Sequence, residues 1–86
     1  MAERTVVIAS RVGLHARPAM LFTQAVAASG AAVTVGRIGG ETVDAASILS
    51  VMGLGVGHGE EVVVSSDDES VLDQLVAMLA TDLDAE

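Results

Sequence analysis

Residues 32–45 read AVTVGRIGGETVDA, and the fold turns on this stretch. AVTVGRI (32–38) is a β-branched run of strand type and ETVDA (41–45) is a second one. Gly39-Gly40 joins them as a tight hairpin turn, so the two strands are antiparallel neighbours. Outward from the hairpin, a helical pattern lies on either side. Upstream, Ala19, Phe22 and Val26 recur at i, i+3 and i+7, with Ala25 and Ser29 widening the apolar stripe. Pro18 suits the first turn of that helix, Gly30 its stop. Before it, TVVIA (5–9) reads as another strand. Downstream, SILSVM (47–52) makes one or two helical turns capped by Ser47. A loop with Gly53, Gly55, Gly57 and Gly59 carries His58, and EEVVVSS (60–66) is the fourth strand. Leu72, Leu75, Val76, Leu79 and Leu83 mark a final amphipathic helix, opened by the capping-box pattern Ser66-x-x-Glu69.

The predicted order is βαββαβα. Two split βαβ units of this kind pack as a four-stranded antiparallel sheet with three helices on one face and solvent on the other, an α+β fold. With 86 residues, the chain is read as one domain, residues 1–86. Hydrophobic residues make up 51% of it, enough for a packed interior rather than disorder. Phe22 is the only aromatic residue, so the core rests on Val, Leu, Ile, Ala and Met, and stacking on nucleic-acid bases is disfavoured. The absence of cysteine excludes disulfides, a thiol nucleophile and a zinc-thiolate site. Apolar runs are too short to span a bilayer and no charged-then-apolar leader opens the chain. The expectation is a cytoplasmic protein without membrane insertion.

The net charge of −8 argues against nonspecific nucleic-acid binding, but its distribution is uneven. Residues 1–40 hold all four cations, Arg4, Arg11, Arg17 and Arg37, against the single acid Glu3. Residues 41–86 hold the other eleven acids and no Lys or Arg. Most of the acids read as solvated surface charge. For Arg11 and Arg17, within seven residues of each other, solvated charge and anion binding both stand open.

Between these two arginines and the first helix lies GLHARP (13–18). A helix start offers unpaired N–H groups and a partial positive charge, a ready site for phosphate. Arg17 adds a permanent cation whose fork takes two oxygens, and His15 is a nucleophile when neutral. Pro18 leaves the remaining first-turn N–H groups free, and Gly13 permits a sharp entry over the helix end. Alone, a histidine here would be an ordinary helix-start residue. Histidine, arginine and proline together, in the only basic region, favour a phosphohistidine instead. A Ser-His-Asp hydrolase lacks its elbow at Ser10, and His15 and His58 lack the spacing and number of metal ligands. His58 reads as a plain loop histidine.

GLHARPA (13–19) resembles the active-site signature of HPr, the histidine-containing phosphocarrier family of the phosphoenolpyruvate-dependent sugar phosphotransferase system. SILSVMGLGV (47–56) resembles that family's second short helix and following loop, and the element order is that of its open-faced β-sandwich. The resemblance implies that His15 is phosphorylated through Nδ1 and that Arg17 steadies the phosphoryl group, with Gly13, Ala16 and Pro18 shaping the loop and helix start. It implies Enzyme I as donor and sugar-specific IIA domains of permeases as acceptors, and neither a cofactor nor a metal. Ser47 falls where many Gram-positive members carry a serine phosphorylated by an ATP-dependent kinase. A helix N-cap is a sufficient reason for Ser47 by itself, so both readings stand; the second brings in a serine kinase or a transcriptional regulator. Met20, Ile48, Leu49 and Met52 resemble the family's docking surface, with core packing as the competing use. The chain departs from the family in lacking every lysine, so docking leans on Arg17, apolar contacts and Arg11. Two alternatives to sugar transport remain: a regulatory module controlled through Ser47, and a carrier for a nitrogen or dihydroxyacetone branch.

Overall fold

The structure, a computed structural model, describes residues 2–81. The chain runs β1 (Ala2–Val7), α1 (Ala16–Ser29), β2 (Val33–Arg37), β3 (Thr42–Asp44), α2 (Ile48–Gly53), β4 (Glu61–Ser66) and α3 (Glu69–Leu79). The four strands form one sheet in the order β1-β4-β2-β3, with every neighbouring pair antiparallel. This is the open-faced βαββαβα sandwich that the alternation of patterns predicts.

Register explains which side the helices cover. Val6 pairs with Val62, and Val35 with Val64, so these β-branched side chains share one face with Val33. That face meets Phe22 and Val26 of α1, Val51 of α2, and Leu72, Leu75 and Leu79 of α3, all almost completely buried. On the other face Thr5, Val7 and Thr42 are exposed. Arg4 and Arg37 fall at the rim of the helix-covered face. Arg4 reaches Glu69 at 3.1 Å and Asp73 at 3.6 Å on α3, tying the first strand to the last helix.

Three local expectations are corrected. The first strand lies at Ala2–Val7, not at 5–9, because pairing with β4 from Ala2↔Ser66 to Val7↔Glu61 recruits residues with no strand propensity of their own. The hairpin is wider than a two-residue Gly39-Gly40 turn. Gly40 N–H donates to the Arg37 carbonyl at 3.0 Å, so the central residues are Ile38 and Gly39, and β3 begins only at Thr42. A two-residue type I′ turn needs positive φ at both centres; here only Gly39 has it, at 76°. At the head of α3, the cap is Asp68 and not Ser66. The Asp68 carboxylate accepts from the N–H groups of Ser70 and Val71, whereas Ser66 is the buried last residue of β4 and accepts from Asp68 N–H. These bonds hold the Asp68 carboxyl below its usual value, the Ser70 hydroxyl first and the Val71 amide next. Leu83, the last residue assigned to the apolar stripe, lies outside the described residues.

Candidate functional site

α1 begins where the sequence placed it, with His15 as N-cap and Gly30 as a left-handed C-cap. The segment before it is held from several sides. Gly13 N–H donates to the Ser10 carbonyl at 2.9 Å and closes a turn; Leu14 N–H donates to the Val56 carbonyl at 3.0 Å. Leu14 is buried, as are Pro18 and Ala19 just beyond the exposed triplet His15, Ala16 and Arg17. Gly13 sits at φ 73°, and a Cβ there would strike the Val56 carbonyl and lie 2.6 Å from Gly57 Cα. Only glycine lets the two loops approach this closely.

His15 is extended, at φ −146° and ψ 160°, and its ring makes no capping hydrogen bond. Ala16 follows at φ 51°, the single non-glycine residue with positive φ among those described. For alanine this conformation costs on the order of 1 kcal/mol and persists because buried Leu14 and Pro18 anchor both sides. The first hydrogen bond of the helix is Ala19 N–H to the His15 carbonyl, long at 3.5 Å. Pro18 has no N–H, so the amides of Ala16 and Arg17 are the donors left over at this helix end. Arg17 is exposed and, among the described residues, enters no ion pair. Arg4 and Arg37, by contrast, are each engaged by carboxylates. Among the described residues, an imidazole without a capping bond, a guanidinium without an ion pair and the amides of Ala16 and Arg17 therefore share one exposed helix end. That combination suits a dianionic phosphoryl group.

Beside α1 packs α2, which brings further predicted residues to the surface. Met20, Ile48 and Leu49 are exposed, Leu49 by 80%. Met52 differs: it is half-buried and packs against the core. Val12 is also exposed, in the loop before His15. Ser47 caps α2, its hydroxyl accepting from Ser50 N–H at a long 3.4 Å. Ser47→Ala should therefore lower stability modestly, by about 0.5–1 kcal/mol in a denaturant titration. Ser47→Asp should keep the fold, since a carboxylate suits a helix start.

Sequence reasoning missed the role of Arg37. Its Nη2 donates to the Gly55 carbonyl at 2.7 Å and its Nε to that of Leu54 at 3.3 Å. Its Nη1 lies 3.0 Å from Glu60 Oε2, which also accepts from Gly57 N–H at 2.7 Å. These two side chains tie down residues 54–60, the loop that supplies the Val56 acceptor. The Gly57 amide, and secondarily Arg37, hold the Glu60 carboxyl below its usual 4.5. A depressed folded value means that this contribution is complete above 4.5 and disappears as pH falls through the lower folded value. The protection factor of the Gly57 amide should fall over that acidic interval in the wild type, whereas Glu60→Gln should show no such step. A matching step in the variant would place the titration elsewhere.

Among the described residues no helix is long and apolar enough to cross a membrane, and no cluster of His, Cys, Asp and Glu has the make-up of a metal site.

Comparison with known proteins agrees with this fold. The family model "PTS HPr component phosphorylation site" matches residues 2–81. Phosphocarrier protein HPr of Streptomyces coelicolor is 45% identical over 87 residues, covering 98% of this chain and 94% of the relative. Phosphocarrier protein HPr of Haloferax volcanii is 47% identical over 83 residues, covering 92% of this chain and 93% of the relative. Among solved structures, HPr-C-His from Thermoanaerobacter tengcongensis superposes with a TM-score of 0.90 at 35% identity, over 100% of this chain and 99% of the other. Matched along nearly its whole length by the family model and by these relatives, the chain belongs to the HPr family of phosphotransferase-system phosphocarriers.

Proposed function

We propose that this phosphocarrier takes a phosphoryl group from Enzyme I onto His15 and passes it to the IIA domains of sugar permeases. The observation that carries the reading is the exposed His15 ring, free of any capping bond, at a helix start beside Arg17. In the forward step, a ring nitrogen lone pair of His15, Nδ1 by family resemblance, attacks phosphorus. The N–P bond forms as the donor's bond to phosphorus breaks, and that electron pair returns to the donor. Arg17 and the amides of Ala16 and Arg17 take up charge on the three phosphoryl oxygens. The second transfer is the same event with His15 as leaving group. Holding the group by one arginine and a helix end keeps the bond transferable, since tighter binding of the phosphorylated state would raise the barrier to its departure. Met20, Ile48 and Leu49 form the apolar ground on which both partners dock, with Arg17 as its cation.

Incubation with Enzyme I and phosphoenolpyruvate, followed by mass measurement, tests the reading: the chain should gain one phosphoryl group. Arg17→Ala should fold normally but transfer more slowly, by roughly 1.5–3 kcal/mol if one charge-assisted contact is lost. Arg17→Lys should recover part of the rate, because charge returns without the planar fork. An Arg17→Ala rate equal to the wild type in a stopped-flow transfer assay would take Arg17 out of the site.

A further inference from the structure

His58 has no part in the relay just described, yet it touches the segment that carries His15. It stands on the loop between α2 and β4 with its Nδ1 3.2 Å from the Ser10 carbonyl oxygen, 48 residues away in sequence. A carbonyl oxygen only accepts, so Nδ1 bears the hydrogen. The same oxygen accepts Gly13 N–H at 2.9 Å, the bond that closes the turn leading to Leu14 and His15. The base from which His58 reaches is itself fixed. Gly59 N–H donates to the Ile8 carbonyl at 2.9 Å, Gly57 N–H to Glu60, and Arg37 grips the carbonyls of Leu54 and Gly55. Residues 10–14 are thus clamped at two points by one neighbouring loop: His58 at Ser10, and the Val56 carbonyl at Leu14.

We propose that His58 is a positioning residue for phosphoryl transfer: its Nδ1–H holds the Ser10 carbonyl and thereby fixes the turn that presents His15 and Ala16 to the incoming group. In-line transfer is sensitive to sub-ångström placement of the nucleophile, so a hydrogen bond that orients its loop acts on the chemical step more than on docking. Phosphoryl uptake does not require His58, because the His15 ring, Arg17 and the helix start remain in place without it. The rate does.

The inference rests on the relay reading, and two measurements separate their fates. In the wild type, long-range 1H–15N correlation spectra should show neutral His58 as the Nδ1–H tautomer. This requires no phosphorylation, and an Nε2–H tautomer would overturn the tether. In single-turnover transfer at saturating phosphorylated Enzyme I, His58→Ala should be slower by roughly three- to tenfold, with its half-saturating Enzyme I concentration unchanged. His58→Asn, whose amide nitrogen occupies the place of Nδ1, should restore most of the rate; His58→Gln, with its donor one bond farther out, should not. A wild-type rate in His58→Ala, or no recovery in His58→Asn, would overturn the positioning role. Failure of the wild type to accept any phosphoryl group would instead sink the relay, leaving the tautomer measurement to decide the tether.

Discussion

Replacement of His15 by alanine is expected to abolish phosphorylation by Enzyme I and phosphoenolpyruvate, with magnesium present for Enzyme I. The wild type should gain a single phosphoryl group, and its bond should break in acid and survive in base. Phosphohistidine behaves so; a phosphoserine ester behaves in the opposite way. His58→Ala should still take up one group, however slowly, because it leaves the His15 site chemically complete. The expectation follows from the arrangement at the start of α1. His15 projects from an exposed N-cap without a capping bond, and Arg17 beside it pairs with no carboxylate among the described residues. Label retained by His15→Ala, or a bond that resists acid, would assign the chemistry to a different residue, with Ser47 the first to examine.

The second large effect concerns the fold. Leu72 is completely buried between α3 and the sheet. Leu72→Asp would put a carboxylate there without a cation, since Arg4, the cation engaged with α3, is occupied at the rim by Glu69 and Asp73. Burying an unpaired charge costs several kcal/mol, comparable with the whole stability of a domain this size, about 5–15 kcal/mol. Circular dichroism at 25 °C should show an unfolded chain. Leu72→Ala should remain folded but lose about 2–5 kcal/mol through lost burial and a residual cavity. Should Leu72→Asp melt together with the wild type, the inward face of α3 has been misassigned.

How much of the molecule was legible beforehand depended on how local each signal is. Periodicity located α1 and α3 and placed Leu72, Leu75 and Leu79 inward, because burial of an amphipathic face is written into residue spacing. Gly30 and Ser47 were legible as helix boundaries because left-handed geometry and hydroxyl capping depend on one residue and its immediate neighbours. The start of β1 was not legible. Ala2, Glu3 and Arg4 become a strand only because β4, some 60 residues on, provides the other half of the ladder.

The same division runs through the site. GLHARP by itself determined the chemistry on offer: a nucleophilic ring, a fixed cation and a helix start, all within six residues. Gly13 marked a sharp entry, but what the glycine must avoid, the Val56 carbonyl, lies 43 residues away and came only with the fold. Arg37 was one of four arginines in the sequence, and tertiary structure alone turned it toward Leu54, Gly55 and Glu60. His58 likewise became a donor to Ser10 only when two loops met. Met52 shared its predicted role with Met20, Ile48 and Leu49, and packing drew its side chain part-way into the core. Residue type and short-range spacing determined which reactive groups this protein has and where its helices lie. Long-range pairing and loop-to-loop contact decided how those groups are held, because a hydrogen bond between distant residues leaves no trace in the spacing of either one.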